Sequence, residues 1–316
     1  MRISEHFNLE LTQTELEFVD VDTVRDVELF IDPAWIHIED EPWFMEAALT
    51  LSSFFNHIIE LYENGDIDSA KQLFDYAHEP NETCFGLSVN NPNGTGASAD
   101  MLGKVFDRLL RDNMFDRGFV SRLEDIHVFI EDFGQDRLSD LVTNIIRKHL
   151  VDFTKEQCEI HNIPINNNPH PLAHYWNRET NNWLECNEAP LIVNGRPILL
   201  VPKNMVVKYY RYSTGQYCTH HVLVRRAEQH KRENSHLVRQ TTRKDGTIVR
   251  YVNKKDIIEE EIVGANINLK QYVLSVTEDN PELIQEFRNS IAARLRNPIT
   301  TNRLTDEQFI TYLNNL

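Results

Sequence analysis

Three acidic side chains, far apart along the chain, are of the type that holds a divalent metal ion. Asp136 and Asp140 lie in the segment FIEDFGQDRLSDLVTNIIR, and Glu82 lies upstream in EPNETCFGLS. Mg²⁺ prefers oxygen ligands such as carboxylates, and a metal ion activates water for phosphodiester hydrolysis. We therefore predict that Glu82, Asp136 and Asp140 hold Mg²⁺, the hypothetical cofactor, and that Asp140 also takes part in catalysis.

The helical pattern around Asp136 and Asp140 leaves a structural alternative open. Asp136, Asp140 and Asn144 recur at i, i+4 and i+8, which places them on one polar stripe of a helix. Asp136 would then be the N-cap, and Asp140 would be favoured near the helix start by the helix dipole. In this alternative the stripe faces solvent and binds nothing.

Two neighbouring candidates carry the same ambiguity. Glu79, Asn81 and Glu82 precede the predicted strand TCFGLSV, and they are equally typical of a turn. Lys203 follows the apolar run LLVP, where its charge would stabilise the phosphate during cleavage, so it is a candidate catalytic residue. A lysine in that position is also typical of an exposed strand edge.

Apolar periodicity and turn residues predict the elements that position these side chains. The predicted helices span residues 43–64, 66–77, 99–113, 136–160 and 216–239, with further helices after residue 254. The predicted strands are ELFIDPAWIHI, TCFGLSV, residues 126–130, and hairpins that turn at Asn194-Gly195 and Asp245-Gly246. Residues 162–189 are predicted to be irregular. Together these elements indicate an α+β fold, a central mixed sheet flanked by helices, with a helical C-terminal part.

The irregular stretch predicts a boundary between an N-terminal α+β domain, residues 1–165, and a C-terminal hairpin-and-helix domain, residues 190–316. The net charge is −17, yet residues 201–256 contain 13 Lys and Arg against 4 Asp and Glu. Such a basic segment suits a nucleic-acid strand, and it equally suits docking on an acidic protein surface. The candidate nucleic-acid contacts are Lys208, Arg211, Arg225, Arg226, Lys231 and Arg232.

Composition also bears on the compartment. The N-terminal sequence lacks the basic and apolar parts of a signal peptide, and no run of about 18 apolar residues occurs, so we expect a cytoplasmic protein without membrane contact. The cysteines form no CxxC pair, which predicts reduced, buried thiols at Cys84, Cys158, Cys186 and Cys218.

The segments EPNET, GQDRLSDLVTNIIR, FTKEQC and LLVPK together resemble an uncharacterised bacterial family found on mobile elements and in defence neighbourhoods. GQDRLSD is also similar to a segment of the RecB-like nucleases in the PD-(D/E)XK superfamily, which implies that Asp136 and Asp140 are metal ligands. That superfamily has a D/E-x-K motif on the following strand, whereas Leu-Val-Pro precedes Lys203 in this chain. Arg225 and His230 match the R-x4-H pattern of the HEPN ribonucleases.

These resemblances and residues give one functional hypothesis and one alternative. The hypothesis is a component of a bacterial anti-phage defence system that acts as a Mg²⁺-dependent nuclease on DNA or RNA. The alternative is a non-enzymatic adaptor or sensor subunit of a multi-protein defence complex, in which residues 201–256 dock a protein partner.

Overall fold

The computed structural model describes residues 1–76, 78–86, 99–131, 133–165 and 168–314. Contacts divide the chain into two compact units. The first unit comprises residues 1–108, 133–210 and 295–316, and the second comprises residues 109–132 and 211–294. Each unit therefore combines segments that are distant in sequence, whereas the predicted domains are contiguous ranges.

Helices account for most of the regular structure. The α-helices are α1 Ile3–His6, α2 Pro33–Ile36, α3 Pro42–Glu63, α4 Ile67–Gln72, α5 Ala99–Arg111, α6 Leu123–Phe129, α7 Gln135–Ile145, α8 Arg147–Ile160, α9 Thr214–Tyr217, α10 Leu223–Glu233, α11 Lys254–Ile257, α12 Leu269–Asp279, α13 Glu282–Arg296 and α14 Asp306–Asn314. Tighter 3₁₀ turns cover Leu73–Tyr76 and Lys203–Met205, and wider π-helical turns cover Cys218–Val222 and Ile258–Val263.

The strands are short and form separate antiparallel pairs. They are β1 Phe30–Ile31, β2 His170–Asn177, β3 Asn182–Glu188, β4 Leu191–Val193, β5 Arg196–Ile198, β6 Val206–Val207, β7 Arg239–Thr242 and β8 Ile248–Tyr251. The pairs are β1–β6, β2–β3, β4–β5 and β7–β8. The predicted α+β class and the helical C-terminal part are confirmed, but the described strands form small separate antiparallel sheets and not the predicted central mixed sheet.

The core of the first unit forms where α3, α7 and β1 meet. Helix α3 begins with Pro42 in its first turn, where proline is favoured. Its apolar spacing buries Phe44, Ala47, Leu51, Phe54, Phe55 and Ile58, which confirms the helix predicted for residues 43–64. Helix α7 packs beside β1, where the backbone N–H of Ile31 donates to Ser139 Oγ at 2.9 Å. These contacts fix the helix that carries Asp136 and Asp140.

The second unit is built around α6, α9 and α12. Tyr217 of α9 is fully buried, and its hydroxyl lies 2.8 Å from Thr277 Oγ1 of α12. Asp125 and Arg288 form a buried ion pair, with Nη2 2.7 Å from Oδ2. Removing one partner of such a pair would leave the other charge buried and unpaired, which strongly destabilises a protein.

The strand predicted for residues 126–130 is wrong, because this segment belongs to helix α6. Asp125 Oδ2 accepts the backbone N–H of Ser121 at 2.8 Å and of Arg122 at 3.1 Å, which satisfies donors at the helix start. Every residue of α6 is buried. A short helix that is buried on all sides shows no amphipathic periodicity, so its mainly apolar end cannot be distinguished from a strand by pattern alone.

The irregular structure predicted for residues 162–189 is also wrong, because β2 and β3 form a hairpin there. Trp176 and Trp183 are buried on one side of it. The Asn177 side chain accepts the backbone N–H of Thr180 at 2.9 Å and shapes the turn. The abundance of Pro and Asn in this region therefore reflects its turn and its edges.

Other predicted elements are shorter than expected or divided. In ELFIDPAWIHI only two residues form a strand, because Asp32 accepts the N–H of Ala34 at 3.0 Å and Pro33 starts α2. The helix predicted for residues 136–160 is divided into α7 and α8 at Ile146, whose ψ is 11°.

The helix predicted for residues 216–239 begins two residues earlier, at Thr214, and its last part, α10, ends at Glu233. Its end is set by Asn234, which has a left-handed φ of 51°. Both predicted hairpin turns are confirmed, with φ of 78° at Gly195 and 81° at Gly246.

Part of the predicted strand TCFGLSV is described. Phe85 bridges to Val27, and the Val27 N–H donates to the Cys84 carbonyl at 3.0 Å. Residues 87–89 lie outside the described residues. The prediction of reduced thiols is confirmed, since the four cysteines are free and buried. Among the described residues, no helix has the length and apolar character needed to cross a membrane.

Candidate functional site

Asp136 and Asp140 lie on α7, within reach of each other's charge. The helix is capped by Gly134 and begins at Gln135, so Asp136 lies in its first turn and is not the N-cap. Burial raises the pKa of Asp140 to about 8, and the charges of Asp136 and Glu79 add to this increase. Burial also raises the pKa of Asp136, against the opposing charge of Arg137. In Glu79, Asp136 and Asp140, which we call the Asp140 group, the first two carboxylates lie near enough to disfavour ionisation of the third.

Glu82 belongs to a different set of contacts. Its Oε1 lies 3.0 Å from Nη1 of Arg147, a side chain that is 1% exposed. Arg147 also donates from Nη2 to Asn144 Oδ1 at 2.8 Å and from Nε to the His174 carbonyl at 3.1 Å. Glu82 thus balances a buried guanidinium, which a sequence pattern alone does not reveal.

Asn144 connects Arg147 to the Asp140 group. Its amide nitrogen donates to the His78 carbonyl at 2.6 Å and to the Asp140 carbonyl at 2.8 Å. Asn144, the last residue of the predicted polar stripe, is therefore buried and makes internal hydrogen bonds, and it does not face solvent. Glu79, immediately after His78, is the carboxylate that sequence reasoning placed in the neighbouring turn and not among the metal ligands.

In the described ranges, no three side chains of His, Cys, Asp or Glu are grouped so that they could hold a metal ion. Glu82 lies beside Arg147. The Mg²⁺ ligand set of Glu82, Asp136 and Asp140 stays a prediction.

Lys203 makes contacts at another place in the first unit. Its Nζ lies 3.4 Å from the Thr14 carbonyl and 3.5 Å from Asp306 Oδ1. Its backbone N–H donates to the Glu17 carbonyl at 2.9 Å. These contacts position Lys203 at the start of a 3₁₀ turn, and its catalytic role also stays a prediction.

Most of the predicted nucleic-acid contacts have acidic partners. Lys208 pairs with Glu28 in the first unit. In the second unit Arg225 pairs with Glu282, Arg226 pairs with Glu261, and Lys231 pairs with Glu228. Arg211 is half-buried and Arg232 is exposed. Their basic charge is thus largely balanced within the protein.

Glu261 is the centre of a polar cluster that includes Arg226, His230 and Tyr272, which we call the Glu261 cluster. Arg226 donates to both carboxylate oxygens, at 2.5 and 3.0 Å. Tyr272 donates to Oε2 at 2.6 Å, and His230 Nε2 lies 2.8 Å from Oε1. Burial would raise the pKa of Glu261, but the hydrogen bonds from Arg226, Tyr272 and His230 outweigh it and lower that pKa.

The R-x4-H pair is not one site among these contacts. Arg225 donates to Asn280 at 2.8 Å and pairs with Glu282, whereas His230 contacts Glu261.

The β7–β8 hairpin has a different character from α10. All of β7 is exposed, as is the turn that follows it, and Ile248 is 65% exposed. Arg243 and Lys244 directly precede the Asp245-Gly246 turn, and in the described part of the chain their side chains have no acidic partner. Arg239 and Arg250 extend the basic character along the strands, although Arg239 also contacts Asp256 at 2.6 Å. The hairpin, residues 239–251, is therefore an exposed basic arm.

Comparison with known proteins identifies the family but no activity. Residues 8–213 match the family model described as a domain of unknown function (DUF8370), and the chain belongs to that family. Neither the curated proteins nor the solved structures contain a match.

Proposed function

We propose, for this member of a family of unknown function, that the second unit binds nucleic acid through the β7–β8 hairpin, as a component of a bacterial anti-phage defence system. The observation that supports it best is the exposure of Arg243 and Lys244 at the tip of a basic two-stranded ribbon. Lys and Arg that neutralise phosphates release counterions, which favours binding. The defence setting is the one that the sequence resemblance implies.

The shape of the hairpin suits a duplex. The major groove of DNA admits a two-stranded β-ribbon. Thr241, Thr242 and Gln240 are exposed on β7, and hydroxyl and amide groups commonly bond to phosphate oxygens and base edges. The exposed Ile248 on β8 adds apolar contact area.

The ion pairs of α10 support the hairpin over the helix as the contact surface. Arg226 donates two hydrogen bonds to Glu261, so binding a phosphate would require breaking them. Arg243 and Lys244 have no acidic partner among the residues that the structure describes, so phosphate binding there breaks no ion pair. We infer that the nucleic-acid contacts lie on the hairpin, about ten residues beyond the basic residues of α10 that the sequence indicated.

Fluorescence anisotropy with duplex DNA, single-stranded DNA and RNA tests this proposal over a series of salt concentrations. We expect Arg243→Gln/Lys244→Gln to weaken duplex binding about tenfold at low salt and to reduce the salt slope by roughly two, one for each lost phosphate contact. The control, Lys104→Gln/Arg111→Gln, removes two exposed charges on α5 and should leave the slope unchanged. Wild-type protein that binds none of the three probes, or equal losses in both variants, would reject the hairpin as the binding surface.

A second candidate function, Mg²⁺-dependent cleavage of DNA or RNA, is favoured by the proximity of Asp136 and Asp140 on one face of α7. Metal ligands must be deprotonated, so a cation at the Asp140 group would have to displace the proton that burial, followed by the charges of Asp136 and Glu79, favours on Asp140. Incubation with Mg²⁺ or Mn²⁺ and plasmid, linear DNA or RNA tests it. Equal cleavage by wild type and Asp140→Asn would exclude this site, and binding without cleavage would favour the adaptor alternative.

A further inference from the structure

A cavity of about 650 Å³ lies in the first unit, bordered by the start of α3, by α8 and by residues 202–204. Glu17, Glu41 and Glu156 line it and are all exposed. Among the described residues that line the cavity, none is Lys, Arg or His. Three carboxylates around one opening repel one another, and a bound cation would relieve that repulsion.

The inner wall of this cavity is aromatic. Phe44 and Phe153 are buried, and Trp43 is half-buried beside them. The centroid of the Trp43 ring lies 4.9 Å from that of Phe44 and 5.9 Å from that of Phe153. Aromatic rings attract cations and also pack against alkyl chains. The wall therefore suits an organic cation better than a hydrated metal ion.

Gln157 adds a buried acceptor to the wall. Its side chain lines the cavity and is 4% exposed, and no donor in the described residues reaches its Oε1. Phe153, Glu156 and Gln157 lie on one face of α8, because their spacing is i, i+3 and i+4. A buried acceptor without a donor is unfavourable, and the terminal torsion of glutamine is soft enough to meet a donor that enters.

We propose that this cavity binds an alkylammonium ligand of the linear polyamine type. Its N–H groups would donate to Gln157 and to the carboxylates of Glu17, Glu41 and Glu156, while its methylene groups contact the aromatic wall. Several charges separated by short alkyl chains match carboxylates that are spread around the opening. This inference does not depend on the nucleic-acid proposal.

Calorimetry with spermidine tests the proposal on the full-length chain. We expect one spermidine per chain, and a loss of affinity of about tenfold or more in Glu156→Gln and in Gln157→Leu. Glu159→Gln is the matched control, since Glu159 lies on the same helix, is exposed and does not line the cavity. Glu156 is also exposed, so its substitution leaves the core intact if Gln157→Leu alters folding.

Competition experiments identify the source of the ammonium group. Mg²⁺ at matched ionic strength should not displace spermidine, because a compact hydrated ion gains nothing from the aromatic wall. Tighter binding of a lysine peptide than of spermidine would assign the ammonium group to a protein partner and would still support the site. Absence of binding by both ligands, equal losses in Glu156→Gln and Glu159→Gln, or displacement by Mg²⁺ would overturn it.

Discussion

The Asp140 group of the first unit and the Glu261 cluster of the second place a partly buried carboxyl in opposite surroundings. Asp140 is near two further carboxyls, and its pKa is raised to about 8. Glu261 accepts hydrogen bonds from Arg226 and Tyr272 and contacts His230, and its pKa is lowered. Burial raises the pKa in both places, so the neighbours decide the direction.

The contrast distinguishes a carboxylate that stabilises the fold from a carboxyl that could bind a ligand. At Glu261 each charged or polar neighbour contributes a bond that would be lost on binding a ligand, which is typical of a stabilising cluster. At Asp140 burial and the charges of Asp136 and Glu79 disfavour the ionised carboxylate, and a proton or a cation on Asp140 removes that unfavourable interaction. A perturbed carboxyl of the second kind is the better candidate for function.

The largest effect is expected from Glu261→Gln. The amide cannot accept both hydrogen bonds of Arg226 and also pair with His230. We therefore expect the free energy of unfolding of the second unit to fall by about 2–3 kcal/mol at pH 7. Denaturant unfolding measures this loss. Because the pKa of Glu261 is lowered on folding, its contribution is present at neutral pH and is lost as the pH falls through that lowered value.

The neighbouring carboxylate provides the control for that substitution. Glu260 pairs with His236 at 2.6 Å, but both side chains are exposed. Glu260→Gln should therefore change stability by less than about 0.5 kcal/mol. A loss as large as that of Glu261→Gln would mean that general surface charge, and not the Glu261 cluster, stabilises the unit.

Asp140→Asn should act in the opposite direction. The folded pKa of about 8 lies above the ordinary value of 3.8, so the folded protein holds a proton that the unfolded chain has released. Stability therefore falls as the pH rises between these values, by at most about 1.4 kcal/mol for each pH unit. The amide cannot ionise, and we expect the variant to be the more stable protein at pH 8, with a smaller difference at pH 6.

Thermal unfolding at several pH values checks the Asp140→Asn prediction. Asp68→Asn, at an exposed position of α4, should follow the wild-type pH dependence. Identical pH profiles for wild type and Asp140→Asn would show that Asp140 is ionised in the folded protein at neutral pH.

Sequence reasoning found the parts of this comparison that depend on local signals. The Asn194-Gly195 and Asp245-Gly246 turns and helix α3 were predictable, because a few adjacent residues determine each of them. The spacing of Asp136 and Asp140 likewise indicated that they share a helix face. Helix α6 was missed since burial on all sides removes the amphipathic pattern.

The partners of these carboxyls were not predictable from local pattern. Glu79 acts on Asp140 across more than fifty residues of sequence, and Glu261 meets Arg226 across 35. Only the packed fold decides which of Glu79 and Glu82 lies beside Asp140 and which faces Arg147. The sequence likewise could not show which basic residues, those of α10 or those of the hairpin, are balanced by acidic partners, because those partners are set by packing.

The smallest effect is expected from changing the neighbours of Asp140 one at a time. Burial is the largest cause of its raised pKa, followed by Asp136 and then Glu79. Asp136→Asn should therefore lower the pKa of Asp140 by about one unit or less, and Glu79→Gln by a smaller amount. Arg137→Gln should raise it further, because the Arg137 charge opposes the increase. Carbon-detected NMR titration of the Asp140 carboxyl measures all three shifts.

Equal shifts in the same direction for the three variants would contradict the like-charge explanation, since only a general change in burial acts without regard to the sign of the neighbour.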